Sequence, residues 1–285
     1  MKNYYFCFFL VIPFLAGIRN ILANQTWNGE KYHQHSGQQY DTALRVLSYI
    51  KFNGNESVLD LGCGSGKVTA DLGTHYFSNG SVVGIDIYSS MIQKAQLEYS
   101  DLSNVSFHIL DATQLNFDQQ FDIVVSFNVL HWIKDIKTTF INVARALKTE
   151  GTFLATFSID DLTGRYSFGM PIIRELMKSE RWQQYFPTQV LDWNTLGVED
   201  YEQALLLAGL NGKVEFKMLP DWLFDSREDF VNYCLMIPLN SEIPQELKLD
   251  FINDFVDTYS TKYPRTSDGK YRFLRSEAII VAKKI

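Results

Sequence analysis

The chain has 285 residues, 46% hydrophobic and 21% charged, which is the make-up of a globular protein with room for one large domain. Its formal net charge of −7, with no Lys/Arg cluster, argues against a nucleic-acid partner, whose phosphates need concentrated positive charge. Cys7, Cys63 and Cys234 share no metal-ligand spacing and form no disulfide framework, so no metal is expected.

The first element is an uncharged run from Tyr4 to Ile18 behind a single lysine. At 15 residues it is shorter than the ~20 a membrane-spanning helix needs, and it suits the core of a signal peptide ending at Ala23. Residues 1–23 read as a cleaved signal, an anchor that attaches to a membrane through residues 4–18, or an accidental apolar segment. The folded domain is taken as 24–285.

From Trp27 onward, helical and strand patterns alternate. "YDTALRVLSYI" carries a helical stripe at Ala43, Leu44, Leu47 and Ile50. "SVLDL" is a short apolar strand, and a helix starts at Val68 straight after a glycine-rich turn. "SVVGIDI" (81–87) is a second strand, and "SSMIQKAQLEY" (89–99) a helix with serine at its cap. "VSFHIL" (105–110) and "FDIVVSF" (121–127) are the third and fourth strands. A helix over 136–147 leads to the fifth, "GTFLATF" (151–157). After an aromatic and charged stretch to about 196 come a helix (199–210) and a sixth strand (213–219). Helices near 226–236 and 244–262 follow, and "YRFLRSEAIIVAKK" (271–284) is a last strand.

This order predicts an α/β, doubly wound, mostly parallel seven-stranded Rossmann-like sheet. The core occupies about 40–158, 199–219 and 270–285. Helical insertions after strands five and six, about 159–198 and 220–269, form a cap.

"VLDLGCGSG" (58–66) carries the sharpest signal. Its glycines let a ligand approach the backbone, and the helix that follows offers unpaired N–H groups. It lacks the phosphate-binding G-x-x-x-x-G-K-[ST], and its Gly62, Gly64 and Gly66 are spaced more tightly than in G-x-G-x-x-G. Asp60 ends the strand before it. Asp86 ends the second strand, where a carboxylate accepts hydrogen bonds from ribose hydroxyls. Asp111 and Ala112 end the third. Each of Asp86 and Asp111 alone also suits a helix cap.

"VLDLGCGSG", "VVGIDIYSSMIQKA", "HILDAT" and "FDIVVSFNVLHWI" together resemble the successive motifs of class I S-adenosylmethionine-dependent methyltransferases. The resemblance implies S-adenosyl-L-methionine as cofactor. Asp60, Gly62, Gly64 and Gly66 would surround its methionine end, Asp86 its ribose, and Asp111 and Ala112 its adenine, with Ile87, Met91 and Asn128 beside it. "WNGEKYHQHSGQQYDTALRVL", "LHWI" and the C-terminal strand resemble more closely the trans-aconitate and juvenile hormone acid methyltransferases, which act on carboxylates of small acids. In those families a Tyr and a Gln ahead of the loop cover the active site. Here these are Tyr32 and either Gln38 or Gln39.

A carboxylate is ionised at neutral pH and needs no general base, only positioning and exclusion of water. His131 reads as a base for a hydroxyl or amine acceptor, or as a hydrogen-bonding structural residue, and Trp132 shapes the pocket. An acid acceptor calls for a cation. Arg165 with Tyr166 is the preferred pair, and Arg174, Arg181, Arg272 and Arg275 are taken as surface residues.

Three readings follow: a carboxyl O-methyltransferase for a small organic or lipid-like acid, a methyltransferase on a hydroxyl, amine or carbon, and a non-catalytic binding module. Nothing calls for a protein partner. The cofactor implies a cytosolic domain, membrane-anchored or not, whereas the signal-like N-terminus implies export.

Overall fold

The computed structural model describes residues 27–160, 162, 167–187, 193–235 and 243–285. Residues 1–23, and with them the signal or anchor expectation, lie outside this set, as do Arg165 and Tyr166. Among the described residues no helix is long and apolar enough to cross a membrane.

Seven strands form one sheet in the order β3-β2-β1-β4-β5-β7-β6. They are β1 (Ser57–Leu61), β2 (Ser81–Asp86), β3 (Val105–Ile109), β4 (Phe121–Phe127), β5 (Leu147–Phe157), β6 (Leu210–Phe224) and β7 (Tyr271–Lys284). The first five run parallel, and β7 inserts antiparallel between β5 and β6. The expected mostly parallel, doubly wound sheet is therefore present. β1 and β4 are buried on both faces, so they read as unbroken apolar runs.

Helices α1 (Gly29–His35) and α2 (Gly37–Leu47) precede the sheet, and α3 (Lys67–Asp71) and α4 (Ser89–Glu98) follow β1 and β2. After β4 come α5 (Ile136–Ala146), α6 (Met170–Lys178), α7 (Val198–Leu207), α8 (Arg227–Leu235) and α9 (Lys248–Lys262). One apolar cluster packs α5 and α7 on the sheet, and a second packs α2 and the Leu72–Phe77 turn on the other face. A third joins α6 to α8 and α9 through Ile172, Trp182, Phe230, Phe251 and Tyr259, so residues of both insertions share a core.

Two local expectations are corrected. No serine caps α4: Tyr88 is its cap residue and its side chain does not cap the helix, and Ser90 Oγ donates to the Trp27 carbonyl at 2.5 Å. The sixth strand does not stop at 219. It continues to Phe224 through a register shift between Leu219 and Trp222. Pro220 sits in that shift, on an edge strand, where a missing N–H costs no ladder bond.

Candidate active site

The carboxyl ends of β1 to β4 open onto a cavity of about 430 Å³, within the roughly 300–1,000 Å³ typical of small-molecule sites. Gly62, Gly64, Asp86, Ile87, Met91, Asp111, Ala112 and Asn128 all line it. Four successive turns thus deliver their residues to one space, as parallel strands with equivalent crossovers require.

Asp86 ties two of these turns together. Its Oδ2 accepts from the Gly64 N–H at 3.0 Å and its Oδ1 from the Tyr88 N–H at 2.9 Å. Burial raises its pKa, and these backbone donors oppose the rise. Asp111 Oδ1 accepts from the Thr113 N–H and hydroxyl, both at 2.8 Å, so this carboxylate caps a short turn while lining the cavity.

Two expected residues stand outside the cavity wall. Asp60 is buried under the glycine loop, where it accepts from Thr69 Oγ1 at 2.6 Å. It shares a recess of about 30 Å³ with Tyr32, Cys63 and Asn128, and burial lifts its pKa to about 7. Gly66 starts α3 at φ 81°, and a Cβ there would meet Phe107 and Ala95 at 2.7 and 2.8 Å. Close packing against β3 and α4 explains this glycine, and packing also bears on Gly62, where a Cβ would run into the Val129 side chain; Gly62 and Gly64 differ from Gly66 in lining the cavity.

Helix α1 lies over the loop. A Cβ on Gly64 would stand 3.0 Å from the Tyr32 ring. His33 Nδ1 meets Ser65 Oγ at 3.1 Å, and Lys94 pairs with Glu30 at 2.9 Å.

A second cavity, about 120 Å³, shares Trp27, Tyr32, Asn128 and Trp132 with the first. Gln39, His131, Ser158, Trp193, Trp222, Tyr233, Phe273, Arg275 and Glu277 are among its other walls. Gln38 is directed elsewhere, its amide donating to the Leu223 carbonyl at 3.4 Å. His131 is buried and stacks on Trp193 with ring centres 4.0 Å apart. Burial lowers its pKa to about 3. The Ser158 N–H faces Nδ1 at 3.4 Å, which places the proton of the neutral ring on Nε2.

Most of the arginines are committed elsewhere. Arg174 forms a bidentate pair with buried Asp160, Arg181 pairs with Asp250 and Asp254, and Arg272 with Asp221. Arg275 corrects the sequence reading: it is 6% exposed and lines the second cavity. The sequence carried a signal for it, since Arg275 and Glu277 interrupt a buried apolar strand at alternate positions and therefore share a face. Trp27 and Trp193 were also missed, and isolated tryptophans offer no spacing to read.

Comparison with known proteins agrees with this geometry. A family model described as a methyltransferase domain matches residues 52–200. Protein 235L of Invertebrate iridescent virus 6, named as a methyltransferase, is 29% identical over 236 residues, spanning 82% of this chain and 85% of its own. The juvenile hormone acid O-methyltransferase of Bombyx mori is 29% identical over 247 residues, spanning 81% and 85%. A solved methyltransferase structure from Bacillus halodurans aligns with a TM-score of 0.60 at 18% identity, covering 86% of this chain and 99% of that one, a likeness of fold alone. The chain belongs to the methyltransferase domain family. It is an enzyme of the class that takes its methyl group from S-adenosylmethionine, which sets aside the non-catalytic reading.

Proposed function

We propose that the chain O-methylates a carboxylate of a small organic or lipid-like acid, with the methyl donor in the larger cavity and the acid in the smaller. The observation that carries this reading is His131. It is the imidazole in the wall of the smaller cavity, and a group with a pKa near 3 is too weak a base to take a proton from a hydroxyl or an ammonium. A carboxylate asks for no such help.

The larger cavity fits the donor. Gly62 and Gly64, at φ 79° and 54°, bend the loop so that its backbone lines the cavity; Asp86 offers a carboxylate to a ribose, and Asp60 lies behind the loop on the side of a cationic amino acid end. When bound, the donor supplies an electrophilic methyl on a sulfonium. The chain's residues orient and exclude. Trp27, Tyr32 and Trp132 pack edge to face around the opening between the cavities and keep water from the reacting atoms. Asn128, at φ 60°, turns its amide into the same junction. Positioning of this kind contributes ~7–11 kcal/mol in well-oriented reactions. The Bombyx mori relative, named for an acid O-methyltransferase, supports the choice of acceptor.

Such a donor is made in the cytosol, and we place the domain there, with residues 4–18 as its attachment to a membrane.

The test is calorimetric titration of S-adenosylmethionine into the full chain, then transfer of a labelled methyl group to a panel of acids, alcohols and amines. Micromolar binding with label in base-labile esters is expected. Label confined to alcohols or amines would sink the carboxylate reading.

A further inference from the structure

Five buried side-chain polar atoms among the described residues have no hydrogen-bond partner: Gln39 Oε1, Asn128 Nδ2, Trp193 Nε1, Arg272 Nε and Arg275 Nε. Four of these five residues line the smaller cavity. A buried donor without an acceptor costs about 1–3 kcal/mol, so a group of them facing one space marks where a ligand's oxygens belong.

Two of the donors are held rigidly. Trp193 stacks on His131 and packs against Trp132 at 4.9 Å. Its neighbour Asn194 clamps it to the β4 turn, with its N–H on the His131 carbonyl at 2.8 Å and its amide on the Leu130 and Ile133 carbonyls. Arg275 lies 4.1 Å from the centre of the Trp222 ring. Its Nη2 serves Glu277 and Thr42 Oγ1, and Glu277 Oε2 accepts from Thr156 Oγ1 at 2.5 Å. Nε is buried without a partner in a residue that lines the cavity, which leaves it free for a ligand's oxygen. Donors fixed in advance lose little freedom on binding.

Charge narrows the ligand further. Among the described lining residues only Arg275 and Glu277 are charged, and they cancel. His131 is neutral. One carboxylate entering this space is matched by the sulfonium across the junction; a second has no counter-charge.

We propose that Arg275 Nε and Trp193 Nε1 hold the acceptor's carboxylate and select acids that carry a single carboxylate on an apolar body. The proposal rests on the methyltransferase reading above. Gln39 completes the wall once its amide is turned to present nitrogen, an assignment that heavy atoms alone do not fix.

The experiment uses the full chain saturated with sinefungin, a donor analogue whose ammonium supplies the positive charge of the sulfonium, and titrated by calorimetry with octanoate, dodecanoate, phenylacetate, the matching alcohols and citrate. The best monocarboxylate is expected to bind at least tenfold tighter than its alcohol, and citrate not at all. Trp193→Phe keeps the ring and its stack, and Arg275→Lys keeps the charge beside Glu277. Each is expected to weaken monocarboxylate binding about tenfold with sinefungin affinity unchanged within twofold. Should Arg275→Lys fail to fold, Trp193→Phe decides. Unchanged carboxylate affinity in the variants, an alcohol that binds as well as its acid, or a loaded protein that binds no carboxylate overturns the proposal while leaving the cofactor site intact. Absence of sinefungin binding to the wild-type chain instead sinks the reading beneath it.

Discussion

The two cavities that meet at Trp27, Tyr32, Asn128 and Trp132 are built in opposite ways. The larger is made mostly at the ends of four consecutive parallel strands, within residues 61–135 apart from Trp27 and Tyr32. Its key groups are backbone amides, glycines and carboxylates. The smaller draws on α2, the β4 turn, the segment after β5, Trp193, β6, α8 and β7, from residue 27 to residue 277. Its key groups are aromatic rings and one buried ion pair. The first kind of site depends on spacing along the chain, and the second on which distant segments pack together.

The sharpest challenge to that contrast is to damage one region and watch the other. Arg174→Met leaves Asp160, 2% exposed, without its partner, and breaking a buried pair costs about 3 kcal/mol. Thermal and urea unfolding should show that loss, while S-adenosylmethionine affinity in the still-folded variant stays within twofold. Coupled losses would mean that the two regions are one unit.

Asp86→Ala attacks the other region. It removes the acceptor of the Gly64 and Tyr88 N–H groups along with the proposed ribose contact. Bonds to a charged group contribute ~1.5–3 kcal/mol, so cofactor affinity should fall about fiftyfold by calorimetry. Unchanged affinity would remove Asp86 from the site.

Proton linkage gives a smaller effect with a definite sign. Asp60 has a folded pKa of about 7, above the ordinary carboxylate value. The folded state therefore holds the extra proton, and ligand-free stability should decline as pH rises from about 4 to 7. A cationic ligand favours the ionised form, so S-adenosylmethionine affinity should drop about tenfold from pH 8 to pH 6. Asp60→Asn should flatten both profiles. A wild-type affinity independent of pH would contradict this account.

The smallest change is expected at His131. His131→Gln should reduce turnover less than fivefold and leave the pH–rate profile in place, because a neutral, buried ring is not the base. A hundredfold loss would restore the hydroxyl or amine reading.

The same contrast explains what the sequence made legible. Strand-end acids and glycines could be placed because short crossovers fix their position, and all but Asp60 and Gly66 line the cavity. Gly66 stands outside the cavity wall, and spacing alone does not separate glycines packed on side chains, as Gly62 and Gly66 are, from one that a ligand approaches. Arg275 was taken for a surface residue because its neutralising partners, Glu277 and Thr42, are two and 233 residues away, and only the fold joins them. β6 runs on past Pro220 because it lies on the sheet edge, a place that the sequence pattern over 213–219 did not show.

The insertion of β7 between β5 and β6 also has a consequence for how the protein is made. A growing chain emerges from the ribosome amino end first. The elements around the larger cavity are all available once about 160 residues have appeared, whereas Arg275 and Glu277 arrive more than a hundred residues later. Until then β5 and β6 lack the strand that joins them, and their open edges invite pairing with other chains. Early capture of the methyl donor by the nascent half would give that half a reason to stay folded while its last strand is still being translated.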